Sequence, residues 1–194
     1  MTAGKKAEYS DLAKTYRDQA EKEKRILLLI SVFRFLTFAG GFIIVWLSFT
    51  FSRYYGFAAL LLLSGIFIYL LKIYSDHLAR QQYLSDLELI NLNEVKAAGG
   101  DYSVFGDGSS FGLKGHDFSY DTDLFGPGSL FQFLNRACTG YGSEVLAGWL
   151  ADPYILAPFL KLRQQTISEL AGKLTWRQSF LATGINKNLN SGNI

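Results

Sequence analysis

Polar and apolar positions are segregated along the chain, and the segregation alone divides it into parts. Over residues 1–25, Tyr9, Leu12, Ala13, Tyr16 and Ala20 recur at helical spacing among charged neighbours, which predicts an amphipathic helix. From Ile26 to Phe51 the chain reads ILLLISVFRFLTFAGGFIIVWLSFTF, with Arg34 as its only charge. After Ser52-Arg53-Tyr54-Tyr55 a second run, GFAALLLLSGIFIYLL, extends from Gly56 to Leu71. A helix crossing a bilayer needs about 20 mostly apolar residues. The first run meets the lower limit from Phe35 onward, and the second does so with its flanking tyrosines and a snorkelling Lys72. Two buried helices of a soluble bundle are the alternative, but a run such as LLLLSGIFIYLL has no polar face to turn to water. Residues 26–74 are therefore read as a transmembrane helical hairpin.

The return arm, residues 75–98, carries Leu84, Leu87 and Ile90 on one helical stripe and predicts a stalk helix that pairs with residues 1–25. At about 1.5 Å per residue, each arm reaches roughly 25–35 Å past the bilayer. Gly99-Gly100 ends the stalk. Residues 99–128 are rich in Gly, Ser and Asp with interposed aromatics, and read as short strands and turns. Phe118, Tyr120 and Thr122 alternate with polar residues as in a half-buried strand. Beyond them, over residues 129–183, the period turns helical. Ser129 with Gln132 fits a capping box for a helix starting at Leu130, with Leu130, Phe131 and Leu134 inward. Thr139 caps a second helix with Val145, Leu146, Trp149 and Leu150 as its apolar face, stopped by Asp152-Pro153. A third, from about Pro158 to Ala171, buries Phe159, Leu160, Leu162, Ile167 and Leu170. Trp176 and Phe180 suggest a fourth, and residues 184–194 form a polar tail. The fold class expected is mainly α: a two-helix membrane hairpin, a helical stalk, a short β/turn segment and a small helical module.

Charge adds orientation. The 194 residues carry 19 basic and 17 acidic side chains, a net of +2, and 49% are hydrophobic. Residues 1–25 hold seven basic residues, Lys72 and Arg80 follow the second run, and the connection between runs has only Arg53. The positive-inside rule then puts both termini in the cytoplasm, with two spans in the inner (cytoplasmic) membrane and the lipid bilayer as a partner. A single cysteine, Cys138, excludes an internal disulfide framework and a four-cysteine zinc site.

Candidate chemistry is sparse. Asp117, Asp121 and Asp123 beside His116 have the alternation of an Asp-x-Asp cation site, or of a solvated acidic strand edge, but lack the glycine and closing Glu of a calcium loop. The Gly106-Asp107-Gly108 stretch has no Gly-Lys-Ser/Thr after it, so no P-loop for ATP is present. Cys138 has no histidine near it in sequence, and a packed thiol is the commoner role. Arg34 reads as an interface marker rather than an ion path. Residues 101–194 carry seven positive and eight negative side chains, a net of −1 that gives no electrostatic footprint for duplex DNA.

From residue 116 the run HDFSYDTDLFGPGSLFQFLNRACTGYGSEVLAGWLADP, followed by LRQQTISEL and WRQSF, resembles the start of the core (lever) domain of the DNA mismatch-repair MutS family. The matching positions include Asp123, Phe125, Gly126, Ser129, Leu130, Asn135, Arg136, Thr139, Gly142, Trp149, Pro153, Arg163 and Gln164. With the preceding hairpin, the likeness is to the membrane-anchored bacterial branch of that family. The matched residues are packing and capping groups, and none is catalytic. Gly142 permits close approach and Pro153 ends a helix. The Phe-x-Glu mismatch-reading element and the Walker motifs of the ATPase are absent from the sequence. The resemblance therefore implies an anchor and lever segment with no enzymatic activity and no cofactor of its own. In a complete form, ATP with Mg would be coupled to binding of mismatched DNA through other domains, and the family implies a homodimer. The expectation is a truncated gene product. The alternative is a complete membrane-anchored protein-interaction scaffold without DNA or ATP chemistry.

Overall fold

The computed structural model describes residues 3–112, 123–151 and 157–191. Every regular element among them is helical. Helix α1 spans Ala3–Phe51 and α2 Arg53–Ala98. A 3₁₀ turn at Ser109–Phe111 precedes α3 (Leu130–Leu134), α4 (Gly140–Ala151), α5 (Ala157–Ala171) and α6 (Leu174–Ser191). The chain divides into two compact units: Thr15–Ser85, and Met1–Lys14 together with Asp86–Ile194.

Within the first unit, α1 and α2 meet in antiparallel register. Glu23 bonds His77 (2.7 Å) and Arg80 (3.0 Å), Arg34 lies over the rings of Phe67 and Tyr74, and the Phe49 and Phe57 rings stand edge to face at 5.6 Å. The reversal at Ser52 is tight, and glycine at position 56 makes room for it. A Cβ there would stand 2.5 Å from the Phe49 ring. Both helices are long and apolar enough to cross a membrane, yet only 11% of the most apolar stretch of α1 and 6% of that of α2 is buried. Phe35, Phe38, Phe42, Trp46 and Leu61 each point largely outward. Core helices of a soluble bundle bury such side chains; these do not.

In the second unit, Tyr9 and Ala13 of α1 and Leu87, Ile90 and Ala97 of α2 are buried, together with Phe131, Ala147 and Ala182. Helix α2 ends in a Schellman motif. Gly100 takes φ +90°, its N–H bonds the Ala97 carbonyl, and the Asp101 N–H bonds that of Lys96.

Three expectations need correction. The described part of residues 99–128 is built of turns and one 3₁₀ turn rather than strands. Asp101 and Asp107 each fold their carboxylate back on the backbone two residues on, competing with any ladder. The alternation at Phe118, Tyr120 and Thr122 lies outside the described residues. Secondly, of the three apolar residues expected inward on α3 only Phe131 is buried, and Leu130 and Leu134 are exposed. Trp149, Phe159, Leu160, Leu162 and Ile167 are likewise exposed, because no layer of the described chain covers that side of α4 and α5. Thirdly, the polar tail of residues 184–194 is not set apart from the helical module, since α6 continues through its residues 184–191. Gly184 lies against the Cys138 side chain, where a larger residue would collide.

Candidate functional site

The resemblance positions between Asp123 and Gly142 form one continuous elbow. Ser129 is the N-cap of α3, and its hydroxyl accepts from the Gln132 N–H at 3.2 Å. In the usual capping box the Gln side chain would return to the cap residue's own N–H. Here Gln132 Oε1 accepts from the Gly128 N–H (2.8 Å), while its Nε2 donates to the Phe105 carbonyl (2.9 Å). The first N–H groups of α3 are met by backbone. Leu130 N–H bonds the Asp123 carbonyl and Phe131 N–H that of Leu124. Asp123 adopts φ +47° to present that carbonyl, a left-handed conformation that Asp tolerates better than most residues. Gly126, at φ +108°, donates its N–H to the Asp107 carbonyl.

Around this frame Phe131, only 1% exposed, packs on the rings of Phe125 and Phe111, each at 5.6 Å between centroids. Asn135 ends α3. Its Nδ2 donates to the Gly106 carbonyl and its Oδ1 accepts from the Ala137 N–H, both at 3.1 Å. Arg136 makes a two-pronged ion pair with Glu94 of α2, donates from Nη1 to the carbonyls of Phe133 and Asn135, and lies 3.6 Å over the Phe105 ring. Few side chains in the unit are so fully committed. Thr139 then caps α4 by accepting from the Gly142 N–H at 3.1 Å. A Cβ on Gly142 would sit 3.1 Å from that hydroxyl and 3.2 Å from Ala137, so the close approach expected there is present.

The later positions are less tightly gathered. Arg163 of α5 stacks 3.7 Å over the Trp149 ring of α4, while Gln164 is exposed. Pro153 lies outside the described residues, as do Asp117, Asp121 and His116. Asp123 is brought to the elbow for its carbonyl and not for its carboxylate. Among the described residues, no three His, Cys, Asp or Glu side chains gather as metal ligands.

Beside the elbow is a groove of about 450 Å³, lined by Tyr9, Glu94, Arg136, Cys138, Trp176, Arg177, Gln178 and Phe180 among others. Gln178 in its lining belongs to a buried polar pair that the sequence reading missed. Gln178 Nε2 donates to Asn91 Oδ1 at 2.7 Å, and Asn91, wholly buried, donates to the Leu87 carbonyl. Gln178 Oε1 and Arg177 Nε are shut off from solvent with no hydrogen-bond partner among the described residues. Tyr9 is raised above the ordinary phenol range by burial first and by the Glu94 carboxylate second. Trp176 and Phe180 stack at 5.5 Å and stay largely exposed at the rim. The groove thus sets apolar rims around one unsatisfied donor, Arg177 Nε, and one unsatisfied acceptor, Gln178 Oε1. A signal for it does exist in the sequence, since Asn91 falls four residues after Leu87 on the otherwise apolar stripe.

Comparison of the chain with protein-family models, with curated proteins and with solved structures gave no match in any of the three.

Proposed function

We propose that the chain is a membrane anchor carrying a helical docking module that corresponds to the opening segment of a MutS-type lever domain. On this reading α1 and α2 cross the inner membrane as a hairpin with both termini in the cytoplasm, and the chain performs no catalysis. In the family it resembles, ATP binding and hydrolysis are coupled to DNA binding through an ATPase whose Walker motifs are not in this sequence. One observation carries the reading: the resemblance positions Gly126, Ser129, Asn135, Arg136 and Thr139 are spent on the hydrogen bonds that frame the elbow, while Trp149, Phe159, Leu162, Ile167 and Trp176 on the neighbouring helices are exposed. Such framing with uncovered apolar helix faces suits a segment that further protein packs against.

A second reading, a scaffold that docks a protein partner with no DNA or ATP role, is favoured by the net charge of −1 over residues 101–194. Sequencing the locus past codon 194 and co-expressing its product separates the two. The lever reading expects a coding region with a Gly-x-x-x-x-Gly-Lys-Ser/Thr motif whose product co-purifies with this chain in detergent. A locus without such a motif, beside a stable partner that binds without nucleotide or DNA, would replace it with the scaffold.

A further inference from the structure

Arg34 is the only charge in the apolar run of α1, and residues 26–75 contain no Asp or Glu that could neutralise it. Just beyond that interval, Asp76 is exposed and forms no ion pair with Arg34, and Glu23 is taken by His77 and Arg80. The guanidinium carbon of Arg34 instead rests 5.1 Å from the Tyr74 ring centroid and 5.8 Å from that of Phe67. Its Nε is shut off from solvent and has no hydrogen-bond partner among the described residues. Aromatic rings satisfy the positive charge of a guanidinium through its face but leave its in-plane N–H donors unmet. A guanidinium held this way asks for a planar fork of anionic oxygens, which carboxylate or phosphate supplies.

The position along the helices selects the source. Counted from the reversal at Ser52, Arg34 lies roughly 27 Å and Lys72 roughly 30 Å along their helices, close to the ~30 Å thickness of a hydrocarbon core. With the reversal at one headgroup layer, both cations reach the phosphates of the other. We propose that Arg34, seated on Tyr74 and Phe67 and assisted by Lys72, binds the phosphate group of a membrane phospholipid. The assignment rests on the membrane reading of α1 and α2.

The test uses the full chain, first floated with phosphatidylcholine vesicles and then, in mild detergent, loaded with phosphatidylglycerol or diacylglycerol and analysed by native mass spectrometry. Wild type is expected to retain phosphatidylglycerol and not diacylglycerol, and Arg34→Gln to lose about tenfold of that retention, the effect of one charge-assisted hydrogen bond. Tyr74→Leu keeps the charge and removes its seat, and is expected to weaken retention while far-ultraviolet circular dichroism stays unchanged. Retention by Arg34→Gln equal to wild type overturns the site. Displacement of the bound lipid by millimolar inorganic phosphate overturns the lipid as its source. A chain that floats yet shows no phosphate preference refutes the site alone, whereas one that fails to float refutes the membrane reading and the site with it.

Discussion

Gly108 shows how closely single residues are specified in the elbow. It takes φ +69°, and a Cβ there would lie 2.6 Å from the fully buried Phe131 ring. Gly128, at φ +79°, has nothing within 4 Å of the same position. Gly108→Ala should therefore combine left-handed strain with overpacking and destabilise the second unit by about 2–4 kcal/mol, against about 1–2 kcal/mol for Gly128→Ala. Urea unfolding of the full chain in micelles, followed by tryptophan fluorescence, measures the difference, and equal losses would show that the ring yields. At this scale the sequence was legible where the signal is local. Ser129 with Gln132 and Thr139 with Gly142 announce their caps within three residues, and both caps form. The Asn91–Gln178 bond joins residues 87 apart, and Glu94 meets Arg136 across 42. The polar Asn91 on an apolar stripe marks one end of such a bond, but no periodicity names its partner.

Helices report the same division between local and tertiary information. The start of α3 at Leu130 and the extent of α5 to Ala171 follow from caps, a proline and a glycine, and both were readable. Which faces would be covered was not, because an apolar stripe states a preference for burial and not the presence of a neighbour. The end of α6 was misjudged for another reason: the polar residues after Gly184 have weak helix propensity, yet the helix continues to Ser191. On α2, Asp86 is half-buried beside the stripe formed by Leu84, Leu87 and Ile90, and burial raises its carboxyl above the ordinary 3.8. An acid whose folded pKa is raised penalises the folded state once it ionises, so stability falls as pH rises through the elevated value. Asp86→Asn, which cannot ionise, should melt higher than wild type at pH 7. The gap should close as pH falls below 3.8, where both states of Asp86 are protonated. A thermal melt series in micelles checks the sign, and a gap that widens at low pH would contradict it.

For the molecule as a whole, the decisive property is what solvates Thr15–Ser85. The apolar stretches of α1 and α2 expose Phe, Leu, Ile and Trp side chains around their circumference, with 11% and 6% of each stretch buried by protein. Exposed apolar surface on that scale is far beyond what a soluble monomer tolerates. This much was visible in the sequence from the length of the two runs and their lack of a polar face. In the second unit, the hydrogen-bonded elbow beyond its two caps and the open helix faces of α4 and α5 were not legible in the sequence. The proposed lipid site at Arg34 and the proposed docking role both depend on anchoring. The most direct measurement is flotation of the purified full chain with phospholipid vesicles on a density gradient, followed by alkaline carbonate extraction. The account predicts that the chain floats and stays with the vesicles through extraction. A chain that remains in the dense fractions, monodisperse in buffer without detergent, would contradict it.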